Sequence, residues 1–268
     1  MSEYSHGLRI FTCGHSFHVF VPDLLQEMAD AVAIMGHETI GLSSIGGSRV
    51  IQHWEIPAEQ NEARDALHAG KVDVLTLSPI WLPDEGIEQF ARWAVEHNPA
   101  VRVTVQEYWL PNDEYVPIFP LDTSKLTDHN AITDSELRQR HAPYFHDMDA
   151  YIHLLNKKLG KDVVFAVPVG QATIALREKI IAGMAPGLQV QEDLFTDSWG
   201  HPTAPLQVLT AYCHFAVSYR RSPVGVPQPA MLAQHQHGDD RLNSVLQELA
   251  WDAAICHPLS GCMAHAGS

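Results

Sequence analysis

The chain has 268 residues, enough for one large α/β domain or two small ones. Its 17 Lys and Arg against 32 Asp and Glu give a formal charge of −15, which argues against nucleic acid and anionic membranes as partners. No run is long and apolar enough to span a bilayer, and the scattered cysteines (Cys13, Cys213, Cys256, Cys262) form no CxxC pair of the zinc-binding kind.

Met1–Gly7 is short and polar and a strand begins at once, so no signal peptide is expected and the cytoplasm is the default location; a chain whose signal had been removed would look the same. Leu8–Cys13 is the first strand, with Cys13 expected to be buried in it. Gly14-His15-Ser16-Phe17-His18 makes a tight turn, and Pro22–Met28 reads as a helix start. Glu38–Ser43 is the second strand and Ser44–Arg49, with Gly46 and Gly47, the loop after it. Ala58–Ala69 is helical in composition, with Gly70 as its stop. Val72–Ser78 is a strand apolar enough to be buried on both faces, closed by Pro79. Asp84 caps a helix that carries Ile87, Phe90, Ala91 and Ala94 on one face.

Val101–Gln106 is the fourth strand. It runs into Glu107–Asp113 and an irregular stretch to about Asn130 with Pro111, Pro117 and Pro120, long enough to be functional or an insertion. A long helix starts at Asp134, with Tyr144, Met148, Tyr151, Leu155 and Leu159 as a core stripe. Val163–Val167 is the fifth strand, followed by Pro168–Gln171 and another helix. Leu194–Pro202 is a loop before a helix bearing Leu206, Leu209, Cys213 and Ala216. From Pro223 the chain is rich in Pro and Gly, then helical over Arg241–Ile255. Residues 1–225 are read as a catalytic domain and 226–268 as a helical appendage packed on it. Of the 17 histidines, His235 and His237 lie in a polar loop that reads as solvated, with adventitious metal binding as the alternative.

Five strands interleaved with helices specify a doubly wound three-layer α/β/α sandwich around a five-stranded parallel sheet. Ligands of such sheets sit beyond the carboxyl ends of the strands. Ser16 falls there, either as a nucleophile beside helix N-terminal N–H groups or as a simple helix cap. His201 is the best candidate for its base and Asp197, four residues earlier, for the carboxylate that orients the imidazole; a loop with a helix cap is the bland alternative. Oxyanion donors are the N–H of Ser16 and that of Gly47 or Gly46, unless the glycines form only a flexible turn. Trp81, Tyr108 and Trp109 could stack on a sugar ring or line an acyl pocket, although at least one of them is expected merely to be packed.

Gly14-His15-Ser16, a glycine loop after the second strand, and Asp197…His201-Pro202 before a late helix resemble the SGNH/GDSL hydrolase superfamily over about Leu8–Gly225. The fit is closest to divergent SGNH-like proteins whose first block reads GxSF. The resemblance implies a flavodoxin-like SGNH hydrolase fold and ester hydrolysis through an acyl-enzyme, without metal or organic cofactor. It puts the nucleophile on Ser16, the glycine donor on Gly47 (or Gly46), the aspartate on Asp197 and the base on His201. The sequence departs from the pattern in three places. His15 stands where an aspartate is usual, the Asp-to-His spacing is four instead of three, and Leu77-Ser78-Pro79 replaces the block that supplies an asparagine to the oxyanion. Ser78, Asn112, Gln106 and Glu107 are the candidate substitutes, with Trp81, Glu107, Trp109 and Asn112 expected at the substrate.

The reading is a serine esterase that removes a small acyl group, an acetyl group on a carbohydrate being one such substrate, with oligomeric state left open. The alternatives are a degenerate SGNH-fold protein that binds a carbohydrate or acyl ligand without turnover, and a flavodoxin-like nucleotide or phosphate binder. The last is disfavoured by a turn with few glycines and no P-loop lysine.

Overall fold

The computed structural model describes residues 6–116, 119 and 125–262; Pro117, Pro120, the start of the Met1–Gly7 segment and the end of the C-terminal appendage lie outside the described residues. Five short β-branched and apolar runs form one sheet: β1 (Arg9–Gly14), β2 (Glu38–Ser44), β3 (Val74–Leu77), β4 (Arg102–Gln106) and β5 (Val164–Val167). Their order is β2-β1-β3-β4-β5 and every pairing is parallel. The three central strands are buried on both faces, as their nearly continuous apolar sequences require.

Right-handed crossovers decide which helix covers which face. The chain steps from β1 outward to β2 through α1 (Val21–Ala31), then back and across through α2 (Val50–Trp54), α3 (Glu62–His68), α4 (Glu85–His97) and α5 (Asp134–Leu159). The reversal puts α1 on one face and α2–α5 on the other. α6 (Val169–Ile181) and α7 (Ala204–Tyr219) follow β5, and α7 packs beside α1. α7 is buried along almost its whole length because α9 (Asp240–Cys256) covers its outer side and also meets α6. A short α8 (Ala230–Ala233) precedes α9. No helix among the described residues is long and apolar enough to cross a membrane, and the cysteines, Cys13 buried among them, are all free thiols.

Local signals account for most boundaries. Asp84 caps α4 by accepting from the Gly86 N–H at 3.0 Å, as the sequence predicts. Thr133 and Glu136 form a reciprocal box at the start of α5, and Gly160 ends that helix in the left-handed region. The helix expected over Ala58–Ala69 is instead a 3₁₀ turn and α3, divided at Asn61. The Asn61 carboxamide accepts from the Arg64 N–H and donates to the carbonyls of His53 and Trp54, so it starts a new helix and cannot sit inside one.

The register levels the strand ends that matter. Gly14 pairs with Ser44 and Cys13 with Leu77, so the turns carrying Ser16, Gly46-Gly47 and Ser78 leave the sheet at one height.

Candidate active site

Ser16 is exposed in the turn between β1 and α1. It caps nothing: α1 begins at Val21 behind Phe20, and no side chain caps it. The Ser16 hydroxyl lies 3.0 Å from His201 Nε2, across 185 residues of sequence. His201 Nδ1 lies 2.6 Å from Asp197 Oδ2. The other Asp197 oxygen accepts the backbone N–H groups of Trp199, Gly200 and His201 at 3.0, 3.1 and 3.2 Å. One carboxylate therefore folds its own loop and aims the imidazole. That loop fits three residues between acid and base, with Gly200, at φ +94°, turning the chain where a side chain would be strained. Burial alone would raise the Asp197 carboxyl; the His201 backbone and ring and the Trp199 N–H outweigh it and hold the group below the usual carboxylate range.

Ser16, His201, Gly46 and Gly47 face one cavity of about 380 Å³, with His15, Phe17, Ile80, Trp81, Pro111, Phe119 and Trp199 completing its wall. Gly47 adopts φ +59°, and a β-carbon there would meet nothing, so glycine is required by the backbone and not by crowding. Neither the Ser16 nor the Gly47 N–H meets an acceptor among the described residues. His53 frames the glycine loop from beneath. Its Nδ1 lies 2.7 Å from the Ser43 hydroxyl and its Nε2 2.9 Å from the Ser48 hydroxyl. Burial pushes this imidazole down to about 4, so at neutral pH it is uncharged and bridges the loop's two ends with one donor and one acceptor nitrogen. Asp84 anchors the start of α2, just beyond the loop, by accepting the Val50 and Ile51 N–H groups at 2.7 and 3.0 Å.

The turn bearing Ser16 rests on a second buried network. Gln106 Oε1 lies 2.8 Å from His18 Nδ1 and 2.9 Å from His214 Nε2, and Gln106 Nε2 donates to the Phe17 carbonyl at 3.1 Å. Because an amide oxygen only accepts, both imidazoles donate to it. Burial lowers the His18 pKa to about 4 and that of His214 well below its ordinary value, which keeps them neutral.

Several residues expected at the reaction centre lie elsewhere. Ser78 is buried, and its hydroxyl hydrogen-bonds to the Tyr108 hydroxyl, which also bonds to His15; it does not line the cavity. Its hydroxyl is therefore no oxyanion donor. Gln106 is committed to the two histidines. Glu107 is buried at the end of β4, accepts from Gln171 at 3.2 Å and lies 3.7 Å from His257, away from the cavity. Trp109 is packed behind the wall: its indole donates to the Gly200 carbonyl at 2.9 Å and its ring stacks on Phe17 at 5.0 Å. Phe17 in turn meets the His201 ring edge-on at 5.0 Å. Asn112 is buried, with its N–H donating to the Trp199 carbonyl at 3.2 Å. Of the expected substrate residues, Trp81 alone reaches the cavity wall.

Phe17, Ile80, Pro111 and Trp199 are lining residues that the sequence reading did not single out, and His53 is a support that it missed. Trp199 sits between Asp197 and His201, which was the available signal; nothing local distinguishes His53 among 17 histidines. Among the described residues no group of three or more His, Cys, Asp or Glu could hold a metal ion, His235 and His237 included.

No family model matches the chain, and no curated protein does. Among solved structures, a DUF4886 family protein from Bacteroides uniformis superposes with a TM-score of 0.59 at 14% identity, over 94% of this chain and 96% of that one. A proposed SGNH hydrolase from Slackia heliotrinireducens superposes at 0.44 and 15% identity, over 78% of this chain and 97% of that one. At such identity the likeness concerns fold alone: the chain is a three-layer α/β/α sandwich that shares the fold of the Bacteroides uniformis protein.

Proposed function

We propose that this chain is a serine ester hydrolase working through an acyl-enzyme. The observation that carries this reading is the hydrogen-bonded line Ser16–His201–Asp197 opening onto a cavity that also presents the Gly46-Gly47 loop. In the forward step His201 Nε2 takes the Ser16 proton as the oxygen attacks the ester carbonyl, and Asp197 stabilises the imidazolium. The oxyanion develops toward the N–H groups of Ser16 and Gly47, each worth roughly 3–4 kcal/mol in the transition state. His201 then gives the proton to the departing alcohol, and water repeats the sequence on the acyl-Ser16.

A fluorophosphonate probe tests this directly. Wild type should gain one phosphonyl group on Ser16, read by mass spectrometry of the labelled peptide, and Ser16→Ala should gain none. A folded wild type that stays unlabelled and hydrolyses no ester sinks the proposal and leaves a binding protein on this fold.

His53 gives a second expectation. His53→Ala releases both ends of the glycine loop, so kcat should fall by about 10- to 100-fold, up to one mispositioned oxyanion donor, with KM little changed. His53→Gln, which keeps a donor and an acceptor, should recover part of the loss. Equal falls in both variants, matched by loss of folded protein, would make His53 a purely structural residue.

A further inference from the structure

The wall of the Ser16 cavity has an unusual balance. Phe17, Ile80, Trp81, Pro111, Phe119 and Trp199 supply most of it, and among the described residues no Asp, Glu, Lys or Arg lines it. Its titratable members among the described residues are His201 and His15, the latter held neutral by burial and by the neighbouring histidines. The polar side chains that nearby loops could have offered are turned away: Ser78 and Tyr108 bond to each other, and Glu107 to Gln171. A sugar ring would find few partners here, and a substrate carboxylate or phosphate would be buried without a cation, which is costly.

The volume argues in the same direction. About 380 Å³ lies at the lower end of the ~300–1,000 Å³ of small-molecule pockets, and an acetyl group would fill little of it. Ile80 and Trp81 follow β3, the strand directly beside β1. A chain leaving a carbonyl held at Ser16 and Gly47 therefore runs onto their apolar surfaces, and Trp81 is itself braced edge-on by Phe119 at 4.7 Å.

We propose that the ester cleaved at Ser16 carries an uncharged, apolar acyl chain of about four to eight carbons, or an aryl group of similar bulk, seated against Ile80 and Trp81. This rests on the reading of Ser16 as the nucleophile. It replaces the acetylated carbohydrate with a substrate recognised by its acyl part.

The test is kcat/KM for p-nitrophenyl acetate, butyrate and hexanoate and for the p-nitrophenyl monoester of succinic acid, on wild type, Ser16→Ala and Ile80→Trp. Each buried methylene is expected to raise wild-type kcat/KM about fourfold, so hexanoate should exceed acetate by on the order of 10². The succinate monoester should fall at least about tenfold below butyrate, because its second carboxylate meets no cation. Ile80→Trp fills the cavity and should collapse the hexanoate-to-acetate ratio. Ser16-dependent turnover that is flat or falls from acetate to hexanoate overturns the acyl-chain proposal and leaves the hydrolase standing. Absence of Ser16-dependent turnover on every ester overturns both. The wild-type series decides the matter even where Ile80→Trp does not fold.

Discussion

His201→Ala should lower ester turnover by a factor on the order of 10⁴ or more, and Asp197→Asn by an amount approaching it. The two losses have different causes. Without His201 the Ser16 hydroxyl has no acceptor for its proton. In Asp197→Asn the amide can present N–H to His201 Nδ1, which now lies 2.6 Å from a carboxylate oxygen. That favours the tautomer protonated on Nε2, the nitrogen 3.0 Å from Ser16, so the base is present with its accepting lone pair occupied. The Asp197 carboxyl is held below the usual range, so it stays ionised as pH falls toward the range where histidine protonates. Because the residues act as a unit, Ser16→Ala combined with His201→Ala should be scarcely worse than either alone. The rate of p-nitrophenol release under single-turnover conditions, compared across these variants, measures acylation directly. Variants that keep wild-type rates would remove the triad from the mechanism.

Asp113→Ala should destabilise the protein by about 3–5 kcal/mol, because it strands a buried guanidinium. Asp113 and Arg177 are each about 1% exposed. They pair through both carboxylate oxygens, one of them at 3.0 Å from Arg177 Nη2, and His129 Nδ1 sits 2.6 Å from the same oxygen. Arg177 also donates to Gln191 and to the His129 carbonyl. The network fastens the loop after β4 to α6, and Asn112 and Asp113 hold left-handed φ values of 55° and 51° within it. Such strain costs on the order of 1–3 kcal/mol per residue and persists only where its surroundings over-determine it. Burial alone would raise the Asp113 carboxyl; His129 and Arg177 overcome it and bring the value down to about 2. The unfolded chain binds its proton near 3.9, so this group's stabilisation, on the order of 2 kcal/mol, is fully present above about pH 4. It is lost as pH falls toward 2. Urea unfolding of wild type and Asp113→Ala at pH 7 and pH 3 reads both quantities: the gap between the two proteins should narrow at pH 3. A gap that is small at pH 7 would show that the network contributes little.

The pH-dependent support at the other end of the chain has the opposite sign. His257, just after α9, lies 3.4 Å from Asp149 and 3.7 Å from Glu107. Burial alone would lower its pKa, but the two carboxylates prevail and raise it. Its contribution is thus present below the ordinary histidine value and fades as pH rises through the raised one.

The features legible in the sequence alone are those with periods of a few residues. The β-branched runs at Val74–Leu77 and Arg102–Gln106, the acidic cap at Asp84 and the Thr133–Glu136 box carry their own signals, because strand pleat and helix caps are settled by neighbours in sequence. The doubly wound topology then comes from alternation and crossover handedness. Ser16, Asp197 and His201 could be nominated on the same terms, since a tight turn after a strand and an acid four residues before a histidine are local features.

The tertiary structure decided everything that depends on which way a side chain turns at the end of a strand. Ser78, Glu107, Trp109 and Asn112 all come after strands on the correct rim, yet burial turned them inward, where each found a partner for at least one polar group. Sequence places a loop on a rim. Only packing decides which of its polar groups must be satisfied inside, because an unpaired buried group costs more than an exposed one gains. By the same rule the cavity wall fell to Ile80, Trp81 and Trp199, and a histidine far from the nucleophile in sequence, His53, became the brace of the Gly46-Gly47 loop.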